Sequence, residues 1–279
     1  MATLSLCICT MNRPEELATA LRSVFAGTVI PDQILVSDDG DGSAKTVSEA
    51  FAGVTYLDGP KRGLGANRNH CIAAATSELI AFIDDDVTVA HDFVEKAKAA
   101  PTADTITTGW ELNHSTNPAR KVSAHNASFL GFQRVEPGDH LNAICINATV
   151  FPSRLFERAL FDEQIKYGYE EIDIARHATS LGWRIAYDDS LHVSHFPAAS
   201  NRDAYAAALN VSRLYITHKA YAIYENNRLK AGLFNIAASS HHLLYSLKNG
   251  HGLAKAIATI RDSRSKQRAL KTHLARVAK

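Results

Sequence analysis

The chain opens on a short, apolar, partly β-branched run, Leu4-Ser5-Leu6-Cys7-Ile8-Cys9-Thr10, which predicts a strand. Pro14-Glu15-Glu16 then puts proline in a first helical turn and acids at the positive end of a helix dipole, so a helix follows. The unit recurs. Gln33 to Ser37 reads as a strand, Lys45 to Phe51 as a helix, Val54 to Leu57 as a strand and Ala66 to Ala75 as a helix. Leu79 to Ile83 is apolar at every position, the pattern of a strand in the middle of a parallel sheet with helices on both faces. His91 to Ala100 continues as helix and Thr105 to Leu112 as strand.

From about Asn113 to Asn142 the periodicity fades while Gly, Pro, Asn and His accumulate. That predicts a long loop or an antiparallel excursion, the kind of segment that carries binding groups. A helix ending at Leu181-Gly182 and a terminal strand from Ile185 to His195 come next, and beyond His195 the pattern is helical. With 279 residues and 46% hydrophobic content, the elements predict one large α/β domain. Its expected form is a mostly parallel, Rossmann-like central sheet flanked by helices, with a C-terminal helical extension. The expected divisions are 1–112, 113–196 and 197–279.

A formal net charge of +1 hides an asymmetry: residues 226–279 carry 11 Lys/Arg against the single acid Asp262, leaving 19 basic and 28 acidic residues in 1–225. An acidic body excludes a general polyanion binder, nucleic acid included. The four cysteines, Cys7, Cys9, Cys71 and Cys145, form no CxxC pair, so a reduced, cytoplasmic setting is expected, with Cys7 and Cys9 packed on one strand face. Met1 to Thr10 has no positive residue before its apolar run and reads as a first strand rather than a secretion signal. No uninterrupted apolar run approaches the ~20 residues of a membrane span. The basic helices of the tail (Lys248, Lys255, Arg261, Arg264, Lys266, Arg268, Lys271, Arg276) suit peripheral docking on the inner face of an anionic membrane; the alternatives are a solvated face or a subunit contact.

Two strands end in acids: Ile34 to Ser37 leads into Asp38-Asp39-Gly40, and Ile80 to Ile83 into Asp84-Asp85-Asp86. Ligands of open α/β sheets sit outside the carboxyl ends of the strands, so both clusters point to one crevice. If the second strand stays extended, Asp84 and Asp86 share a face and offer oxygen ligands to Mn²⁺ or Mg²⁺, with diphosphate oxygens completing the shell. Three adjacent acids repel unless a cation or donor offsets them, whereas Asp38 and Asp41 read as turn caps. Gly59 to Gly65, ahead of a helix bearing Arg68, suits a phosphate cradle but lacks the third glycine of a dinucleotide fingerprint. Downstream, Glu171 lies on the apolar stripe of Ile174, Ala175, Ala178 and Leu181, with Glu170 to its side and Asp173 well away. An inward Glu171 is a candidate general base; the alternative is helix-dipole complementation. His192 and His195 face opposite ways in a strand, so one at most completes a carboxylate site.

Taken in order along residues 3–196, these features resemble the bacterial-type family 2 glycosyltransferases, inverting enzymes with a GT-A fold. The residues that carry the resemblance are Cys9-Thr10-Met11-Asn12-Arg13, Asp38-Asp39-Gly40, Ala66-Asn67-Arg68-Asn69, Asp84-Asp85-Asp86, Phe161-Asp162-Glu163, Glu170-Glu171, Arg176, Gly182 and His195. The resemblance implies that Thr10 and Asp39 hold the nucleotide base, with Asn12 and Arg13 beside them. It puts Arg68 near base or diphosphate, and Asp84 or Asp85 at the ribose. Asp86, with Asp84 and His195, would bind Mn²⁺ or Mg²⁺. Glu171 stands where the family has its catalytic Asp, with Glu170 preceding it. Two departures are an E-E pair in place of E-D and an Asn67 inserted into the A-R-N triplet. The implied substrates are a nucleotide sugar, UDP-linked by preference, and a saccharide or lipid-linked saccharide in surface polysaccharide or glycolipid assembly. Rival readings are a metal-dependent nucleotidyltransferase, a phosphoesterase and a non-catalytic sugar-binding protein.

Overall fold

The computed structural model describes residues 1–124, 126–134, 141–197, 202–250 and 252–277. Residues 125 and 135–140 of the expected excursion, and Lys279 of the basic tail, lie outside them.

Strand β1 (Leu4–Thr10) is buried at every position because parallel neighbours flank it, β2 (Gln33–Asp38) on one side and β4 (Leu79–Asp84) on the other. β3 (Val54–Asp58) extends the sheet beyond β2. Alternation along β1 sends Leu4, Leu6 and Ile8 into a layer shared with α1 (Pro14–Phe25), α2 (Ser43–Glu49) and α4 (Phe93–Lys98). Cys7 and Cys9 enter the opposite layer, beside Cys71 of α3 (Leu64–Ala74). β4 divides in the same way, with Leu79, Ala81 and Ile83 on one side and Ile80 and Phe82 on the other. Phe82 meets the edges of Phe151, Phe156 and Phe161 at centroid distances of 6.0, 6.1 and 5.5 Å.

The second half of the sheet is mixed. β10 (Thr149–Pro152) runs antiparallel to both β4 and β6 (Thr105–Asn113), and β6 pairs in parallel with β11 (Arg184–His195). β5 (Val87–Val89) lies antiparallel on β11 and β7 (Arg120–Ser123) on β6, giving the order β3-β2-β1-β4-β10-β6-β11-β5 with β7 off that path. Within the excursion, β8 (Asn126–Ala127) and β9 (Gln133–Arg134) make a small antiparallel pair. β11 slips register against β6 between Tyr187 and His192. Gly109 permits the bulge, since a Cβ there would stand 1.7 Å from the Leu191 carbonyl oxygen.

Helix α5 (Glu170–Ser180) buries Ile174, Ala175 and Ala178 against the sheet, as its stripe predicts. Asp173 lies off that stripe and is nevertheless buried. α6 (Arg202–Lys219) and a π turn at Ala220–Tyr224 cover that other side, and Asp173 accepts hydrogen bonds from Lys219 Nζ at 2.8 Å and Tyr224 Oη at 2.9 Å. Glu170 is buried as well, and Glu171, expected to face inward, is half-buried at the rim. α7 (Arg228–Lys248) and α8 (Leu253–Val277) then pack on α6. Among the described residues no helix is long and apolar enough to cross a membrane.

Candidate active site

Parallel register aligns the carboxyl ends of the first strands: Thr10 lies opposite Asp38, and Cys9 opposite Asp84. Asp39 follows β2, and its carboxylate accepts from the amides of Lys61 (2.9 Å) and Gly63 (3.0 Å). Those amides belong to the loop that suited a phosphate cradle, so Asp39 itself is their partner. Asn12, at φ 58°, accepts from the Asp41 amide at 2.8 Å and ties the end of β1 to the same turn.

β4 ends at Asp84 and residues 85–86 turn, so the alternation expected to put Asp84 and Asp86 on one face does not extend through the acids. Each acid has its own partners. Asp84 pairs with Arg68 Nη2 at 3.0 Å, and its amide donates to Asn147 Oδ1 at 3.0 Å. Asp85 accepts from Thr10 Oγ1 at 2.8 Å and from Arg13 Nη1 at 2.6 Å. Asp86 meets the same Arg13 nitrogen at 3.0 Å and His195 Nε2 at 3.3 Å. Two arginines and a histidine thus offset the repulsion of three adjacent acids. Burial pushes the Asp85 carboxyl up to about 6, against the pull of Arg13 and Thr10.

His195 sits at the end of β11, where pairing of Val193 to His195 with Val89 to Val87 brings it beside the turn at Asp86. Its Nδ1 lies 3.0 Å from Glu111 Oε1, which also accepts from Asn113 Nδ2 at 2.9 Å. Burial disfavours the imidazolium, yet hydrogen bonds to Asp86 and Glu111 raise the pKa to about 10. His192 instead stacks on Trp110 at 4.7 Å, as the opposed facing predicts. Of the three side chains expected around a cation, the fold brings Asp86 and His195 together and turns Asp84 to Arg68. Among the described residues no three His, Cys, Asp or Glu side chains form a preformed metal cluster. The Asp86–His195 pair still fits a hard divalent cation that draws further oxygens from a diphosphate. A carboxylate on the far imidazole nitrogen is the usual support of a metal-ligating histidine, and Glu111 is in that place.

On the other wall, α5 starts from two consecutive left-handed residues, Gly168 at φ 71° and Tyr169 at φ 74°. A Cβ at Gly168 would lie 2.3 Å from Leu209 Cδ2. A non-glycine residue in this region stores strain immediately before the candidate base. Glu170 has Oε1 buried without a hydrogen-bond partner, and burial, opposed by Arg68 and reinforced by Glu171, raises its carboxyl to about 7. Burial also raises Glu171, whose Oε1 accepts from Gln133 Nε2 at 2.8 Å. Arg68 feels Asp84, Glu170 and Glu171 as neighbouring charges, so the start of α5 lies close to the end of β4.

Sequence reasoning missed Glu111, Asn147, Gln133 and Lys219. Glu111 had a signal: Trp110-Glu111-Leu112-Asn113 is a third strand end with a carboxylate, the rule applied to β2 and β4. Lys219 had none, because its partners Asp162 (2.7 Å) and Asp173 (2.8 Å) are distant in the chain.

The model of the Glycosyl transferase family 2 family matches residues 5–165. The succinoglycan biosynthesis protein ExoM of Rhizobium meliloti (strain 1021) is 32% identical over 99 residues, 32% of this chain and 31% of that protein, so the match spans about a third of each. GalNAc-T7, solved with UDP, GalNAc and Mn²⁺, superposes with a TM-score of 0.64 at 14% identity, over 87% of this chain and 51% of that one. The mannosyltransferase PcManGT of Pyrobaculum calidifontis, solved with GDP-Man and Mn²⁺, gives 0.59 at 14% identity, over 100% and 81%. These likenesses show the fold, which is GT-A. The matched segment contains every strand end described above except that of β11, together with Arg68 and the three consecutive acids, and it stops before Glu170, Glu171 and His195. With more than half of its length matched in this way, the chain belongs to glycosyl transferase family 2.

Proposed function

We propose that this glycosyltransferase moves a sugar from a nucleotide-sugar donor, UDP-linked by preference, to an acceptor hydroxyl with inversion, in the assembly of a surface polysaccharide or glycolipid. The observation that carries the reading is the crevice in which Arg68 joins Asp84 at the β4 end to the charges of Glu170 and Glu171. In this reading Thr10, Asn12, Arg13, Asp39 and Asp85 form the wall for the nucleoside, and Arg68 and Asp84 lie along the donor.

Asp86 and His195 would hold Mn²⁺ or Mg²⁺, which when bound supplies Lewis-acid stabilisation of the leaving diphosphate. Glu111 orients the His195 ring. Glu171, half-buried, takes the proton of the acceptor hydroxyl as that oxygen attacks the anomeric carbon from the face opposite the diphosphate. A single base and a direct displacement invert the centre. Glu170, sealed behind it, keeps negative charge beside Arg68 when ionised and so holds the crevice walls together. The acceptor is a saccharide or a lipid-linked saccharide.

The test is release of nucleoside diphosphate from a panel of UDP-, dTDP- and GDP-sugars with simple glycosides as acceptors. One donor class should turn over with wild type and not with Glu171→Gln. Equal turnover by both proteins would remove Glu171 from the chemistry.

A further inference from the structure

Helix α7 buries Ala231, Phe234, Ala238, His242 and Ser246 on one side. On the opposite side Leu229, Leu233, Ile236, Leu244 and Leu247 are between 56% and 75% exposed. At 100° per residue these five fall within about 80° of the helix circumference, an apolar stripe about 27 Å long with the small Ser240 at its middle. α8 begins in the same manner, with Leu253 45% and Ile257 53% exposed. Single exposed leucines on a surface are ordinary, but an aligned row of this length is not.

The charge around the row selects its partner. Lys248 lies about 80° from its axis, along one margin, where a long basic stem reaches a polar boundary while apolar neighbours go deeper; Lys230, on the same margin, is paired with Glu225 at 2.6 Å. From Arg228 to Arg268 the two helices carry eight basic residues and one acid, Asp262. An isologous contact with a second copy would set these like charges against each other. An apolar stripe rimmed by lysine and arginine matches the interface of an anionic bilayer. We propose that the exposed face of α7, continued by Leu253 and Ile257, is a docking surface for anionic lipid, on which the protein lies without spanning the membrane. This goes beyond the sugar-transfer reading and does not depend on it.

Co-sedimentation of the full-length protein with vesicles tests it, using phosphatidylcholine alone or with a 40% fraction of phosphatidylglycerol, roughly the charge that basic surface segments respond to. Wild type should bind the anionic vesicles and be released from them by salt. The double variant Leu233→Glu/Ile236→Glu should lose more than about tenfold in binding, with its thermal midpoint and nucleotide response unchanged. Lys248→Glu/Arg261→Glu should weaken binding to anionic vesicles alone. The proposal is overturned if wild type stays in solution with both vesicle types, or if Leu233→Glu/Ile236→Glu binds as wild type does. It is also overturned if wild type is a dimer that this variant splits while no vesicle binding is seen, because the stripe would then be a subunit interface.

Discussion

Glu170 is enclosed beside Arg68 while Glu171 reaches the rim, and the two acids should answer substitution differently. Glu171→Gln removes the proposed base and should lower kcat by about 10²- to 10⁴-fold with little change in donor KM, read from initial rates. Glu170→Gln should act on stability. Its carboxyl is raised from 4.5 to about 7 in the fold, so between those values the native state holds a proton that the unfolded chain has lost. The stability that Glu170 contributes therefore falls as pH rises through that window, by up to about 3 kcal/mol. Urea denaturation at pH values of about 5 and 8 should show a larger loss for wild type than for Glu170→Gln, the remainder belonging to Asp85 and His195, which are also raised in the fold; equal losses for both proteins would contradict the assignment. Glu111→Gln, which weakens the hold on the His195 ring, should reduce Mn²⁺ affinity by about 10- to 100-fold in a calorimetric titration of the nucleotide-bound protein. Unchanged affinity would take His195 out of the metal's shell.

At the scale of elements, the crevice depends on how α5 is held. Lys219 at the end of α6 bridges Asp162 in the segment after β10 and Asp173 on α5, and Tyr215 Oη donates to Asp162 at 2.7 Å. The C-terminal helices are thereby joined to the helix that carries both candidate catalytic acids. Lys219→Met leaves two carboxylates buried without their cation and should cost about 3–5 kcal/mol in urea denaturation, with Lys219→Arg recovering part of it. A loss under about 1 kcal/mol would mean that the network is wet and weakly coupled. This network was illegible in the sequence, where Asp173 reads only as a first-turn acid off the apolar stripe, because that stripe marks the sheet side of α5 alone. The turn at Asp85-Asp86 was hidden for a related reason. Five apolar residues announce a strand but do not say where it stops, and three identical acids, each of a type that turns accept, do not single out the position at which it ends. β5 and β10, of three and four residues, are too short to carry a period.

At the scale of the molecule, the strand–helix alternation of the first half was legible because each β unit repeats the same chemistry: an apolar run, a polar turn, an amphipathic helix. The apolar run Leu79 to Ile83 told of two-sided burial, and β4 has it, with Leu79, Ala81 and Ile83 in one core layer and Ile80 and Phe82 in the other. The crevice was legible in part, since acids at strand ends converge by topology whatever their side-chain partners are. The distribution of charge was legible in full, an acidic body ending in basic helices. The central claim is that the crevice at Asp84 to Asp86 and His195 holds a nucleoside diphosphate through a divalent cation. The most direct measurement is the thermal midpoint of wild type and Asp86→Ala with UDP, dTDP, GDP and CMP, each with Mn²⁺ or with a chelator. One nucleotide should raise the midpoint of wild type in Mn²⁺ alone and leave Asp86→Ala unmoved. A shift that survives the chelator and the substitution, or no shift with any nucleotide, would contradict the claim.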